Sequence, residues 1–270
     1  MKGEGLLQLE QLQAFQAWFN HYVKSFYCKD PQIQTAVVLK EEHTLRVCGN
    51  IIRIGRSLNL EDRDLNLAEA IALFHDVGRF RQFTLYRTFN DRRTQNHALL
   101  GLEELEQGKI LSSLEKEEQE LIKKAIEYHN LCDLPPELPD RCRLFARLIR
   151  DADKLDILKV FIEYYARRNS DLSLVLESNL PDTPGYSPVL VENLLQQRRC
   201  NYNNMKNQND RKLLLLSWIY DINFTYTLLE ISRNGYLQKI IENLPDTGDI
   251  RTAYLHLQAY MTQRQCRHPL

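Results

Sequence analysis

Apolar residues recur every three or four positions along most of the chain, which is the spacing of one face of an α-helix. The first such stripe predicts an amphipathic helix near the N-terminus and consists of Leu12, Phe15, Phe19, Tyr22 and Phe26. The long stretches show this spacing rather than the strict alternation of apolar and polar residues that would indicate β-strands. Only 10 Gly and nine Pro interrupt the helical spacing. The pattern therefore predicts an all-α protein.

The same spacing predicts further helices in the middle of the chain. They cover residues 41–57, 66–77, a segment that carries His97 behind a Thr94 cap, 114–128 and 141–165. Gly78 is expected to end the helix over 66–77 in the left-handed conformation. Between Gly78 and Asn96 the periodicity fails and five arginines appear, so this segment is interpreted as a basic loop.

Composition and charge exclude several classes of protein. Apolar residues make up 43% and charged residues 26%, as in ordinary globular proteins, and the net charge of −1 provides no field that would recruit a nucleic-acid polymer or an anionic membrane. The six Cys form no Cys-x-x-Cys pair, which argues against a zinc knuckle and a disulfide framework. No uninterrupted apolar run of a signal peptide begins the chain. A cytoplasmic protein is predicted.

A His–Asp pair closes an otherwise apolar helix, where burial of both side chains is expected. An unpartnered carboxylate or imidazole costs several kcal/mol there, unless a metal, an ion pair or hydrogen bonds compensate. Four more ionisable residues begin or interrupt apolar stripes. The full set of candidate metal ligands is His43, His75, Asp76, His97, His129 and Asp153.

The charges of these six side chains suit divalent ions. Four neutral imidazoles and two carboxylates carry a charge of −2, which one divalent ion neutralises and two ions convert to +2. Mixed nitrogen and oxygen ligands suit a divalent transition metal, namely Mn, Fe, Co, Ni or Zn. Two ions together could polarise a phosphate and supply the nucleophile. The chemistry favoured by this set is metal-dependent hydrolysis of a phosphate.

Three local motifs give the chain a resemblance to a known family. They are His43-Thr-Leu-Arg46-Val47, His75-Asp76-Val77-Gly78-Arg79 and Asp151-Ala-Asp153-Lys154-Leu-Asp156. The order His, His-Asp, Asp resembles the HD-domain metal-dependent phosphohydrolase superfamily. The resemblance implies that His43, His75, Asp76 and Asp153 hold a first ion, with Asp151 as the alternative to Asp153.

Two further motifs resemble branches of that family with binuclear centres. They are His97-Ala-Leu-Leu-Gly101 and Ile126-Glu-Tyr-His129-Asn130, and they imply a second ion at His97 and His129 with Asp76 as the bridge. One or two ions are therefore expected. The Gly-Tyr-Pro element of cyclic-dinucleotide phosphodiesterases does not follow His129, so that substrate is not implied.

The resemblance covers about residues 35–165 and implies a domain organisation. Residues 1–34 are expected to form a capping helix, 35–165 the metal-binding catalytic core, and 166–270 a C-terminal helical extension packed on the core. The implied function is a phosphohydrolase acting on a small phosphorylated substrate or nucleotide. Two alternatives stay open, namely a non-catalytic metal- or nucleotide-binding sensor and a di-iron oxygenase that uses the same ligands.

Two cations are candidates for catalytic work beside Asp76. Arg79 follows the His–Asp pair, and a guanidinium matches a phosphate with two parallel hydrogen bonds. Lys154 lies next to Asp153 and could orient a phosphate, or could form surface ion pairs with Asp151 and Asp156. The predicted catalytic residues are therefore Asp76, Arg79 and Lys154, and no motif specifies the substrate or the oligomeric state.

Overall fold

The computed structural model describes residues 7–167 and 180–267. No residue in these ranges is part of a β-strand, which confirms the predicted all-α fold. The helices are α1 (Leu9–Lys24), α2 (Pro31–Ser57), α3 (Asp62–Phe74), α4 (Val77–Tyr86), α5 (His97–Gln107), α6 (Lys116–Tyr128), α7 (Asp140–Arg167), α8 (Pro188–Leu195), α9 (Gln208–Ser217), α10 (Thr225–Arg233), α11 (Tyr236–Ile241) and α12 (Gly248–Arg267). Residues 1–6, 168–179 and 268–270 belong to the predicted terminal segments and lie outside the described residues.

The chain divides into two compact units, Met1–Asp156 and Ile157–Leu270, and α7 begins in the first and ends in the second. In the first unit α2 and α1 both pack on α3, and α4 packs on α5. Phe15 of α1 contacts Phe74 of α3 with ring centroids 5.2 Å apart, so α1 covers an apolar face of the core. The predicted boundaries at residues 34 and 165 stay predictions.

Helix α2 begins ten residues before the predicted start at Glu41. Asp30 caps it, because its carboxylate accepts hydrogen bonds from the backbone N–H of Gln32 and of Ile33, each at 3.0 Å. Pro31 then occupies the first helical position, where its missing N–H costs nothing. The longer helix places Lys40 one turn before His43, on the same side of α2.

The predicted role of Gly78 is wrong. Helix α3 ends at Phe74, and His75 and Asp76 alone connect it to α4, in which Gly78 is the second residue. Gly78 is needed for a close approach of helices, since a Cβ there would lie 2.1 Å from the carbonyl oxygen of His97 and 2.5 Å from the backbone nitrogen of Gly101. The absence of a side chain thus brings α5 against the α3–α4 junction.

The predicted basic loop is helical in its first half. Helix α4 buries Phe80 and Phe83 on one face, and the arginines on either side of Phe80 had concealed this periodicity. The cap of α5 also differs from the prediction. Asn96, and not Thr94, accepts the hydrogen bond from the backbone N–H of Ala98, at 2.8 Å. His97 is therefore the first residue of its helix.

In the part that the structure describes, the second unit contains the end of α7 and helices α8 to α12. Helix α8 packs on α9 and α12, and α10 packs on α11 and α12. The buried carboxylate of Asp210 accepts hydrogen bonds from the N–H and the hydroxyl of Ser187, at 2.6 and 2.8 Å, and so fixes the start of α8. None of the helices in the described ranges combines the length and apolar character needed to cross a bilayer.

Candidate metal centre

The six predicted ligands meet inside the first unit. They are His43 in α2, His75 and Asp76 at the α3–α4 junction, His97 at the start of α5, His129 directly after α6, and Asp153 in α7. All are buried except Asp153, whose side chain is 17% exposed. Tertiary packing thus assembles side chains from distant parts of the sequence into one largely buried cluster, which is partly exposed to solvent at Asp153.

One oxygen of Asp76 takes part in a first group of ligand atoms. Oδ2 of Asp76 lies 3.5 Å from Nε2 of His43 and 3.5 Å from Nε2 of His75. Oδ1 of Asp153 lies 3.1 and 3.7 Å from the same two nitrogens. Two imidazole nitrogens and two carboxylate oxygens therefore surround one point, the number and kinds of donor that a divalent transition metal takes.

The other oxygen of Asp76 faces a second group. Oδ1 lies 3.3 Å from Nε2 of His97 and 4.0 Å from Nε2 of His129, and those two nitrogens are 2.9 Å apart. The carboxylate of Asp76 is thus divided between two pairs of histidines. This is the arrangement that a carboxylate bridging two ions requires.

Hydrogen bonds on the far side of each ring orient all four histidines. The acceptors of Nδ1 are Asp156 for His43 (2.7 Å), the carbonyl of Ala72 for His75 (2.7 Å), Asp91 for His97 (2.7 Å) and the carbonyl of Ile126 for His129 (2.6 Å). Carboxylate and carbonyl oxygens only accept, so each Nδ1 carries a hydrogen. When such a ring is neutral, the lone pair of Nε2 is directed into the cluster, as in metal-binding histidines.

The inner atoms of the cluster lack the partners that burial demands. Among the described residues, Nε2 of His43, Nε2 of His75 and Oδ1 of Asp153 are buried without a hydrogen-bond partner. The Nε2 lone pairs of His97 and His129 also face each other. Such unmet groups are costly, and cations in the cluster would satisfy all of them at once. The residues fit a bound divalent metal.

Four of the six ligands are held in the charge state that a metal needs. Burial raises the pKa of Asp76 and of Asp153, but nearby cations and imidazoles outweigh it and hold both values well below the usual range. Burial lowers the pKa of His97, and lowers that of His129 to about 3. Both carboxylates are therefore ionised and both of these rings neutral at neutral pH.

His43 differs from His97 and His129. Burial and Lys40 lower its pKa, but the surrounding carboxylates of Asp153, Asp156 and Asp76 outweigh them and raise the pKa to about 10. Without metal, a proton thus occupies Nε2 of His43 at neutral pH, at the position where the first ion would bind. An ion that enters the first group must displace this proton.

Metal binding to the first group is therefore expected to release about one proton and to strengthen about tenfold per pH unit between pH 6 and 9, because the proton competes with the ion below the raised pKa. Ions bound by the second group should release no proton, since both of its rings are already neutral. Calorimetric titration with Mn²⁺ in two buffers of different ionisation enthalpy measures the release. Equal heats in both buffers would contradict the assignment.

The carboxylates behind the rings offer a selective test. Replacing Asp91 with Asn places an amide N–H opposite Nδ1 of His97 and favours the wrong tautomer. We expect the second ion to bind about 10- to 100-fold more weakly, with the first little affected. Asp156→Asn should do the reverse through His43, and Asp62→Asn on the exposed start of α3 serves as the control. Equal losses at both positions in either variant would refute two separate groups.

Three residues that contact the ligands were missed as site residues. Lys40 lies 2.6 Å from Oδ2 of Asp76, and Asp91 and Asp156 each bind the outer nitrogen of a histidine. Lys40 lies three residues before His43, and this spacing indicates proximity to the site when both residues are placed on one helix. Asp156 lies in the motif of Asp153, within the helix predicted over 141–165. Asp91 lies in an irregular segment, where spacing carries no information about contacts.

Of the two predicted catalytic cations, one contacts the cluster. Nη1 of Arg79 donates to the carbonyl of Phe89 at 2.6 Å and to the side chains of Gln82 and Asp91 at 2.8 and 3.0 Å, while Nε lies 3.4 Å from Oδ1 of Asp76. Arg79 therefore adjoins the cluster. Lys154 is half-buried on α7, and its catalytic role stays a prediction.

The last motif offered two aspartates as metal ligands, Asp153 and Asp151. Asp153, and not Asp151, forms a group with His75 and His129 in which one ligand atom of each residue lies within 4.8 Å of the others. Asp151 is fully buried in the same helix. The geometry thus favours Asp153 as the ligand over the alternative.

Comparison with known protein families agrees with this geometry. Residues 41–158 match the family model of the HD domain, a stretch that contains all six clustered residues. The chain therefore contains an HD domain at residues 41–158. The HD domain characterises a superfamily of metal-dependent phosphohydrolases. Neither the curated proteins nor the solved structures that were compared contain a significant match to the chain.

The HD domain indicates which kind of ligand the cluster binds. HD domains bind divalent metals, and this HD-domain protein holds histidine and aspartate groups that could bind them. The superfamily is one of metal-dependent hydrolases.

Proposed function

We propose that the protein is a metal-dependent phosphohydrolase with a binuclear centre, which cleaves a phosphate ester or a nucleotide. The observation that carries this proposal is the division of the Asp76 carboxylate between two groups of ligand atoms. His43, His75 and Asp153 would complete the first group, and His97 and His129 the second. The bound ions would activate water and polarise the phosphate.

The residues around the ligands have supporting roles in this reaction. Asp156 and Asp91 hold the rings of His43 and His97 in the tautomer that presents Nε2. Arg79 is held by three oxygens of its own helix and of the following segment, with Nε toward Asp76. It therefore orients the bridging carboxylate, and its position beside the cluster suits contact with a substrate phosphate.

The side of the cluster at Asp153 is suited to substrate entry. Asp153 is 17% exposed and Lys40 and Arg79 are each 14% exposed, whereas the other ligands are shielded. Cations at a partly exposed opening favour an anionic substrate over a neutral one. A small phosphorylated molecule fits this opening better than a folded polymer, because the ligand atoms lie below the surface.

The test begins with elemental analysis of protein purified without chelator. About two equivalents of a transition metal, followed by turnover of 4-nitrophenyl phosphate or bis(4-nitrophenyl) phosphate with that metal, are expected. One equivalent with turnover would reduce the centre to a single ion. No bound metal after reconstitution with Mn²⁺, Fe²⁺, Co²⁺, Ni²⁺ or Zn²⁺ would refute the proposal.

Two other outcomes would assign the same ligands to other functions. Tight binding of metal and nucleotide without turnover across a panel of phosphate esters would indicate a sensor. Two equivalents of iron, with oxygen consumption in the presence of a polyol or an organophosphonate, would indicate a di-iron oxygenase. Parallel measurements of phosphate release and oxygen consumption on one preparation separate the three functions.

A further inference from the structure

Lys40 contacts one of the ligands of the cluster directly. Its Nζ lies 2.6 Å from Oδ2 of Asp76, the oxygen that faces His43 and His75. Without metal, the ammonium therefore neutralises the oxygen that an ion in the first group would bind. Lys40 and that ion compete for one atom, so the side chain needs another partner once the ion is bound.

An anion bound beside the ion would serve as this second partner. An ammonium beside a divalent ion is repelled unless a negative charge lies between them. Nζ of Lys40 lies 5.3 Å from the ring centroid of Phe89, and the guanidinium carbon of Arg79 lies 5.6 Å from the same centroid. The face of this ring keeps both cations near the cluster when their contacts with Asp76 change.

The charge around the centre bears on the anion that it would accept. Four carboxylates contact the ligands or belong to them, against three fixed cations, so with neutral imidazoles the net charge is −1. The groups counted are Asp76, Asp91, Asp153, Asp156, Lys40, Arg46 and Arg79. Two divalent ions would change this charge to +3. A phosphate monoester, with a charge of about −2 at neutral pH, offsets more of it than a singly charged diester does.

We propose that Lys40 is a phosphate-binding residue: with an ion at Asp76, its ammonium donates to a non-bridging oxygen of the substrate phosphate and selects a dianionic monoester over a diester. This inference rests on the proposed phosphohydrolase function and names its substrate class. Lysine suits the role because its ammonium is a mobile point charge on a flexible stem.

The experiment compares Lys40→Met with Lys40→Arg and with Lys123→Met, which removes a similar charge from a lysine on α6 that pairs with Glu120. Metal content, the affinity of the Mn²⁺-loaded protein for inorganic phosphate, and kcat/KM for the monoester and diester 4-nitrophenyl substrates are measured. In Lys40→Met we expect metal content to be kept or raised, and phosphate affinity and monoester kcat/KM to fall about tenfold or more. Diester turnover should fall less than about threefold, and Lys40→Arg should recover part of the loss.

A purely structural lysine would behave differently, since its loss would lower metal content and both activities together. That result, or unchanged phosphate affinity in Lys40→Met, would overturn the inference. The wild-type protein gives a test that does not depend on folding of a variant: inorganic phosphate should bind the Mn²⁺-loaded protein more tightly than dimethyl phosphate, and equal affinities would overturn the inference alone. Absence of any metal binding would instead defeat the proposed function.

Discussion

Asp76→Asn is expected to abolish metal-dependent turnover, because both ions would lose their shared carboxylate ligand. The expected loss is on the order of 1000-fold, which corresponds to about 4 kcal/mol of transition-state stabilisation. The amide keeps the size of the carboxylate but offers one poor donor oxygen where two charged oxygens stood. Both ions should be affected, since Oδ2 belongs to the first group and Oδ1 to the second. Turnover and metal content of the same preparation measure the effect.

Folding of this variant needs its own measurement. Asp76 is buried between Lys40 and Arg79, so some stability should be lost, about 1 to 3 kcal/mol in chelator. Helical circular dichroism and a cooperative thermal transition would establish that the fold persists. Asp62→Asn, on the exposed start of α3, should leave metal content and turnover unchanged. Full metal content in Asp76→Asn would rule out this centre.

Gly78→Ala should damage the protein more than a single methyl group normally does. The new Cβ would lie 2.1 Å from the carbonyl oxygen of His97, and backbone cannot yield as a flexible side chain can. Relief requires α5 to move away from the α3–α4 junction, and His97 moves with it. We expect a loss of about 3 kcal/mol or more of stability, measured by urea denaturation, and weaker binding of the second ion than of the first.

Two other glycines provide graded controls for this variant. A Cβ at Gly101 would lie 3.2 Å from the backbone nitrogen of Gly78, so Gly101→Ala should cost less than Gly78→Ala. A Cβ at Gly49 in α2 meets only the side chain of Arg53, at 3.5 Å or more, and Gly49→Ala should stabilise the helix by about 0.5 to 1 kcal/mol. Equal stabilities of the three variants would contradict the close approach of α4 and α5.

Helical periodicity was sufficient to predict the fold class and most helices of the first unit. Stripes of apolar residues are long in α6 and α7, and both were placed within a few residues of their bounds. The grouping of the six ligands was also accessible, because histidines and aspartates on apolar stripes are rare unless they are paired. Local pattern thus identified the residues that burial would bring together.

What could not be predicted depends on contacts between distant segments. Gly78 has the sequence signature of a helix end, yet its function is to admit α5, which the neighbouring residues do not reveal. Asp91 lies in a segment without periodicity and still fixes the ring of His97. Asp30 and Pro31 were a readable start signal for α2 that was overlooked, so Lys40 was not placed on the helix of His43.

The helices α3 and α6 both end at the metal centre, where His75 and His129 follow their last residues. The C-terminal end of a helix carries a partial negative charge, about −0.5 of an elementary charge, from carbonyl groups without partners in the helix. Helices α4 and α5 begin at the same cluster, at Val77 and His97, and their N-terminal ends carry the opposite partial charge. The four helix ends therefore offset one another, and the affinity for divalent ions depends on the six ligand side chains.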